Sequence, residues 1–167
     1  MHCFDVGLHN EDKTATLQVT AGDGKGSSIL DTNWDHPEVL RNWNQGQAAI
    51  VGTEEIQLRR FDTWIQERPA LKQQVWNGVY DTLQLDTQGN EFEILEGMGP
   101  WLSKFKYLAI EISEEPVYKG ETPGAEISEW LDKLGFLRDS PITAHNDTFF
   151  ISKDIKAETD GLYKGRC

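Results

Sequence analysis

Acidic side chains near predicted strand ends are the residues of this chain best placed to do chemistry. Asp86 ends a predicted strand, residues 80–86, in which Leu83 and Leu85 share one face, and a turn at Gly89 follows. In open α/β sheets ligands bind beyond the carboxyl ends of the strands, so we expect Asp86 to face a crevice. A carboxylate there can orient or deprotonate a hydroxyl group. The alternative is that Asp86 only caps the next helix; we favour the chemical role.

The residues after Asp86 form a second group of candidates. Gln88 and Gly89 could bring a side-chain amide and backbone N–H groups close to a bound cofactor. Glu91 begins the next helix, where the dipole favours a carboxylate, so it can act on a ligand or cap the helix. Glu111, near the end of the following strand, fits the wall of a substrate pocket. Asp86 and Glu111 would also suit a metal ion, but no histidine stands at ligand spacing, and we predict no metal.

Two tryptophans are further substrate-binding candidates. Trp34 and Trp43 lie in a polar stretch without clean periodicity, residues 31–52. Either ring could stack on a sugar or another flat acceptor, whereas aromatic residues in long loops commonly anchor the loop to the core. We favour anchoring. Isolated loop histidines are expected to be solvated and to have no catalytic role: His9, His36 and His145.

The first half of the chain predicts short strands and one bent helix. Alternation of polar and apolar residues predicts strands at 3–8, 14–20 and 55–60. Glycines break regular structure at 21–28, which we predict to be a loop. Asp62 can cap a helix that runs to Val75 and bends near Pro69.

The second half places the candidate residues on a sheet. Strands are predicted at 80–86 and at 106–113, and the latter is apolar enough to be covered on both faces. Helices are predicted at 91–98 and around Leu131, where apolar residues recur at helical spacing until Gly135. Residues 136–142 and 148–152 predict a closing hairpin. The fold class is therefore α/β, with a mostly parallel sheet and an antiparallel C-terminal hairpin.

Length and charge limit the classes of partner. The 167 residues, 38% of them hydrophobic, suffice for one domain, which we place at residues 1–153 with a flexible tail at 154–167. The formal net charge of -12 repels nucleic acid and anionic membranes. No apolar run could span a bilayer and no secretory signal is visible, so we expect a cytoplasmic protein. Cys3 and Cys167 have no metal or disulfide spacing.

The segment Asp86–Met98 resembles the hallmark of the FkbM methyltransferase family. That hallmark is an apolar strand ending in Asp, then x-Glu/Gln-Gly-x-Glu, then an apolar helix that closes on Gly, and all occur here in register. The likeness extends over about residues 7–153. It implies the C-terminal portion of a class I, Rossmann-like methyltransferase that uses S-adenosylmethionine, with O-methylation of a small molecule or saccharide. Asp86 would then lie beside the sulfonium and the acceptor.

Two departures from the family pattern qualify this implication. The family's cofactor-binding strands, with their glycine-rich turn and ribose-binding acid, are not visible ahead of Gly7, and Gln84 stands where the family often has Lys. We therefore expect a truncated form that binds S-adenosylmethionine weakly by itself. The alternatives are a non-catalytic remnant or interaction module, and an incomplete gene reading. Missing strands would expose the edge at 83–85, so a homo-oligomer is an open expectation.

Overall fold

Two β-sheets and short helices make up the described part of the chain. The computed structural model describes residues 3–37, 39, 49–143 and 146–157. Within these ranges the architecture is mixed α/β. No helix there is both long enough and apolar enough to cross a bilayer. The predicted C-terminal tail lies mostly outside the described residues.

The first sheet is built around its longest strand. Strand β3 (Ile50–Arg59) pairs antiparallel with β2 (Lys13–Thr20) and parallel with β1 (Gly7–Leu8). The prediction of β2 is confirmed, whereas β3 begins five residues earlier than predicted and takes in the end of the supposedly irregular stretch. The predicted glycine-rich loop follows β2 and ends at Ser28, which pairs with Gln18.

The next helical segment is interrupted where the sequence predicts a bend. Helix α1 (Phe61–Trp64) passes into a 3-10 turn (Ile65–Glu67), and α2 (Pro69–Trp76) then begins at the proline. Proline is tolerated at a first helical position because no N–H group is needed there. The prediction that Asp62 caps this helix is wrong. The cap position is Arg60, and Asp62 accepts a hydrogen bond from Arg60 Nε at 3.0 Å.

The second sheet carries the candidate residues. Its strands are β4 (Thr82–Leu85), β5 (Tyr107–Glu111), β6 (Phe136–Arg138) and β7 (Asp147–Ser152), in the order β4-β5-β7-β6. Only β4 and β5 run parallel, because the predicted β6–β7 hairpin places β7 antiparallel beside β5. The expectation of a mostly parallel sheet is therefore wrong for the described strands. A Rossmann-like order stays a prediction.

Two helices flank this sheet in the chain as predicted. Helix α3 (Glu91–Met98) follows β4, and α4 (Gly124–Lys133) precedes β6. Gly135, at φ 93°, ends the segment after α4 in the left-handed conformation that glycine adopts without strain.

One apolar cluster joins the sheet to the helices. Leu85 of β4, Ile110 of β5 and Leu95 of α3 belong to it, and none is more than 5% exposed. Leu131 of α4 is fully buried in the same cluster. Burial of each such side chain stabilises the fold by roughly 1.5–3 kcal/mol. This packing fixes the last residues of β4 and β5, and so the position of whatever follows them.

Helix α3 is also tied directly to the first sheet. Asn90 Nδ2 donates to the carbonyl of Leu8 at 3.0 Å, and Asn10 Nδ2 donates to Glu96 Oε2 at 2.8 Å. Between these contacts Gly97 faces the backbone of His9 so closely that a Cβ atom on it would lie 2.0 Å from the His9 carbonyl oxygen. Only glycine allows this approach of α3 to the chain after β1.

The Gly97 contact predicts unequal effects of two glycine-to-alanine changes. Gly97→Ala should lower the free energy of unfolding by about 1–3 kcal/mol, because the helix must move away from His9. The matched control is Gly52→Ala, since Gly52 has no atom within 4 Å of its would-be Cβ. Urea denaturation of both variants measures the difference. Equal stability of the two variants would contradict this account of the α3 contact.

Candidate active site

Parallel pairing brings Asp86 and Glu111 to the same edge of the second sheet. Leu85 is in register with Ile110, so Asp86, directly after β4, and Glu111, the last residue of β5, occupy equivalent positions. The amide nitrogen of Gln88 lies between them. It donates to Asp86 Oδ1 at 2.6 Å and to Glu111 Oε2 at 2.7 Å. Asp86 is exposed and Glu111 is partly buried.

The two carboxyl groups share one electrostatic environment. The pKa of Glu111 is raised from 4.5 to about 8, mainly by burial and then by the hydrogen bond and negative charge of Asp86. The charge of Glu91 acts in the same direction, whereas the hydrogen bond from Gln88 opposes it. At neutral pH Glu111 therefore holds a proton beside Asp86. Such a pair can accept or donate a proton near physiological pH.

The turn after Asp86 is held by contacts from distant parts of the chain. Gln88 has φ 57°, and its carbonyl oxygen accepts a hydrogen bond from Ser28 Oγ at 2.6 Å. Gly89, at φ 99°, packs so closely against Tyr118 and Leu30 that a Cβ atom would lie 3.0–3.1 Å from them. A larger residue at position 89 would push Tyr118 away from the turn.

Tyr118 is a site residue that the sequence analysis missed as a candidate. Its hydroxyl group donates to Gln88 Oε1 at 2.6 Å, and its side chain is only 4% exposed. Burial raises the pKa of Tyr118, and the surrounding carboxylates, beginning with Glu111 and Glu121, raise it further. Tyr118 therefore remains a neutral hydrogen-bond donor.

Glu91 faces the turn from the first position of α3. Its Oε1 accepts hydrogen bonds from Thr87 N at 2.6 Å and from Thr87 Oγ1 at 3.0 Å, and its Oε2 accepts one from Gly89 N at 2.9 Å. The side chain is 3% exposed, and burial raises its pKa. Both oxygens are thus used within the protein. This geometry gives Glu91 a role in holding the turn, and its assignment as a catalytic residue stays a prediction.

The predicted cofactor contacts also have protein partners. The side-chain amide of Gln88 is bonded to Asp86, Glu111 and Tyr118, and the N–H group of Gly89 is bonded to Glu91. A cofactor contact through either group would require one of these bonds to break. Both assignments stay predictions, and the geometry gives the two residues a supporting role instead.

Trp34 belongs to a loop beside Tyr118. Thr32 pairs with Tyr118, and Asn33 N donates to the carbonyl of Val117 at 2.9 Å. Trp34 itself is 40% exposed, which agrees better with an accessible ring than with a buried anchor. Trp43 and His145 lie outside the described residues.

The expectation that the loop histidines are solvated is wrong for two of them. His9 is 6% exposed and His36 is 8% exposed. Burial lowers the pKa of His9. His36 Nε2 lies 3.4 Å from Glu115 Oε2. Among the described residues, no group of three or more His, Cys, Asp or Glu side chains is arranged to hold a metal ion.

Comparison with known families shows which family the chain belongs to. A family model described as the methyltransferase FkbM domain matches residues 2–138, most of the 167-residue chain. The chain belongs to the FkbM methyltransferase family. The resemblance of the Asp86–Met98 segment is thereby confirmed at the level of the family. No curated protein and no solved structure matches the chain.

The raised pKa of Glu111 predicts a stability that depends on pH. In the folded FkbM domain this pKa lies near 8, above its ordinary value of 4.5. Protonated Glu111 therefore contributes stability that is complete below about pH 4.5 and is lost as the pH rises through about 8. Glu111→Gln carries no charge at any pH. We expect its melting temperature to exceed that of the wild type by a few degrees at pH 9 and to match it near pH 4.5.

Differential scanning calorimetry between pH 4.5 and 9 measures this difference. The matched control is Glu129→Gln, because Glu129 is exposed on α4. Its melting temperature should differ from that of the wild type by the same amount at every pH. A constant difference for Glu111→Gln as well would show that Glu111 titrates normally.

Proposed function

We propose that this FkbM domain transfers a methyl group from S-adenosylmethionine to a hydroxyl oxygen of a small molecule or saccharide. The observation that carries the proposal is the pair of carboxyl groups, Asp86 and Glu111, at the ends of two adjacent parallel strands. Ligands of α/β proteins bind at such strand ends. Membership of the family supports methyl transfer, and the position of the pair supports where it would occur.

The residues at these strand ends fit the cationic part of the cofactor. S-adenosylmethionine carries a positive sulfonium group, which the exposed carboxylate of Asp86 complements in charge. Bound there, the cofactor would supply an electrophilic methyl group. Four donors of the 86–91 turn, Thr87 N, Thr87 Oγ1, Gln88 Nε2 and Gly89 N, already have protein partners, so these groups offer little to the cofactor's carboxylate and adenine groups.

Asp86 and Glu111 have different tasks in this proposal. Asp86 is exposed and can accept a hydrogen bond from the acceptor hydroxyl, which holds the oxygen in line for attack. Asp86, as the exposed member of the carboxyl pair, would take up the proton that the acceptor hydroxyl loses when its oxygen is methylated. Glu111 is more buried than Asp86. Its role is to set the proton affinity of the pair and to form the wall of the substrate pocket behind Asp86.

Charge and exposure point to a neutral acceptor. A phosphate or carboxylate would meet Asp86 and a domain with a net charge of -12. A saccharide or another polyol avoids this repulsion and can lie against the accessible ring of Trp34. Trp34 and Glu111 thus remain our substrate-binding candidates, and Trp43 stays a prediction from the sequence.

Loss of the Asp86 carboxylate is the direct test of this function. Asp86→Asn keeps an oxygen that can accept the Gln88 hydrogen bond but removes the proton acceptor. We expect methyl transfer to fall by about 10²–10⁴-fold. The measurement is incorporation of labelled methyl from S-adenosylmethionine into a panel of saccharides and hydroxylated small molecules.

The control for this test is Asp81→Asn. Asp81 precedes the opposite end of β4 and lies 3.6 Å from Lys106 Nζ, far along the strand from the pair. Its replacement should leave methyl transfer unchanged. Equal activity of Asp86→Asn and the wild type would remove Asp86 from the mechanism.

A non-catalytic interaction module is the second candidate. The observation that favours it is that the proposed cofactor contacts, Gln88 Nε2 and Gly89 N, are already bonded within the protein. Isothermal calorimetry with S-adenosylmethionine and with its demethylated product separates the two functions. Binding that saturates below millimolar ligand supports the transferase, and no heat at millimolar ligand supports the module.

A further inference from the structure

Gln88 has a backbone conformation that side chains rarely adopt. Its φ of 57° makes it the one non-glycine residue with a positive φ in the described part of the chain. A left-handed conformation costs a residue with a side chain about 1–2 kcal/mol and persists where the surroundings fix it. The next residue, Gly89, also has a positive φ, of 99°, but it is a glycine; Gln88 takes such a conformation with a side chain attached.

The side chain of Gln88 is bonded at both ends of its amide group. Tyr118 donates its hydroxyl hydrogen to Oε1 at 2.6 Å, which turns Nε2 toward the carboxyl pair. Nε2 carries two hydrogens and donates one to Asp86 and one to Glu111. The opposite amide orientation would set an oxygen against two carboxyl groups. Tyr118 therefore selects the orientation that stabilises negative charge on the pair.

We propose that Gln88 is a positioning residue that sets the ionisation of the Asp86–Glu111 pair, with Tyr118 fixing the direction of its amide. The inference rests on the proposed function, since the pair is the group that receives the acceptor proton. Gln88 touches neither acceptor nor methyl group in this role. It acts by donating to both carboxyl groups and holding them within reach of each other, which leaves Asp86, the more exposed of the two, accessible to a hydroxyl group.

Other charged groups around Glu111 oppose this effect of Gln88. Several carboxyl groups face or neighbour the pair from each packed element, and each disfavours a further negative charge. They are Asp86 after β4, Glu91 at the start of α3, Asp147 opposite Glu111 on β7, and Glu121 beside Tyr118. Against this surplus of negative charge, the two Nε2 hydrogen bonds of Gln88 favour the ionised pair.

Glycine at position 88 separates the role of the amide from the role of the turn. Gln88→Gly suits the left-handed backbone, so the variant should remain folded, yet it removes both donors. Gln88→Asn also tolerates this conformation, but its shorter side chain cannot bridge the two carboxyl groups. Tyr118→Phe keeps the ring and loses the hydroxyl that orients the amide. Ser28→Ala is the matched control, because Ser28 holds the carbonyl of Gln88 and not its side chain.

The readout is the titration of Glu111 followed by carbon NMR of carboxyl-labelled glutamate. Its resonance is identified by its loss in Glu111→Gln. We expect the midpoint to rise by about one pH unit in Gln88→Gly and Gln88→Asn, the equivalent of one hydrogen bond to a charged group. Tyr118→Phe should raise it by less, and Ser28→Ala should leave it at the wild-type position.

Two results would overturn the proposal. One is an unchanged or lowered midpoint in a folded Gln88→Gly variant, and the other is an equal rise in Ser28→Ala, which would make turn order and not the amide the cause. The titration requires no methyl transfer. An inactive wild type therefore argues against the proposed function, whereas an active enzyme whose Gln88→Gly variant titrates normally argues against this inference alone.

Discussion

The proximity of two carboxyl groups, Asp86 and Glu111, is the interaction on which the rest of the candidate site depends. The parallel register of β4 and β5 brings Asp86 and Glu111 to one edge of the sheet, and burial of Glu111 strengthens their repulsion. The pair persists because Gln88 donates to both groups and because one proton can be shared between them. Without the apolar packing of Leu85 and Ile110, the strand ends would be free to separate.

The turn that follows β4 is built to keep Gln88 in place. Glu91 binds the backbone on either side of it, Ser28 holds its carbonyl oxygen, and Tyr118 holds its side-chain oxygen. These partners come from a helix, from the loop after β2 and from the loop after β5. A conformation that is unfavourable for one residue is thus maintained by three separate parts of the fold. Among the residues that the structure describes, this is the one side-chain-bearing position with a positive φ, and it lies beside the carboxyl pair, as expected of a site organised before any ligand arrives.

Local patterns in the sequence predicted what depends on neighbouring residues. Helix α3, helix α4 and strand β2 were predictable because apolar residues recur at regular spacing, and Asp86 was predictable because it ends an apolar strand before a glycine turn. Ser28 and Tyr118 lie 60 and 30 residues from Gln88 in the sequence, and no local pattern predicts contacts over such separations. The burial of His9 and the antiparallel placement of β7 beside β5 likewise follow from packing over long distances.

The close contact of Gly97 with the His9 carbonyl couples the movements of the two sheets. Helix α3 begins with Glu91, which holds the turn after β4, and it ends against the backbone after β1. A shift of either sheet at these contacts must therefore move α3. The domain should therefore melt as one cooperative unit, and amide hydrogens of β3 and of α3 should become exchangeable in the same opening event. A change at β1 would therefore act on α3, whose first residue, Glu91, holds the turn beside the carboxyl pair.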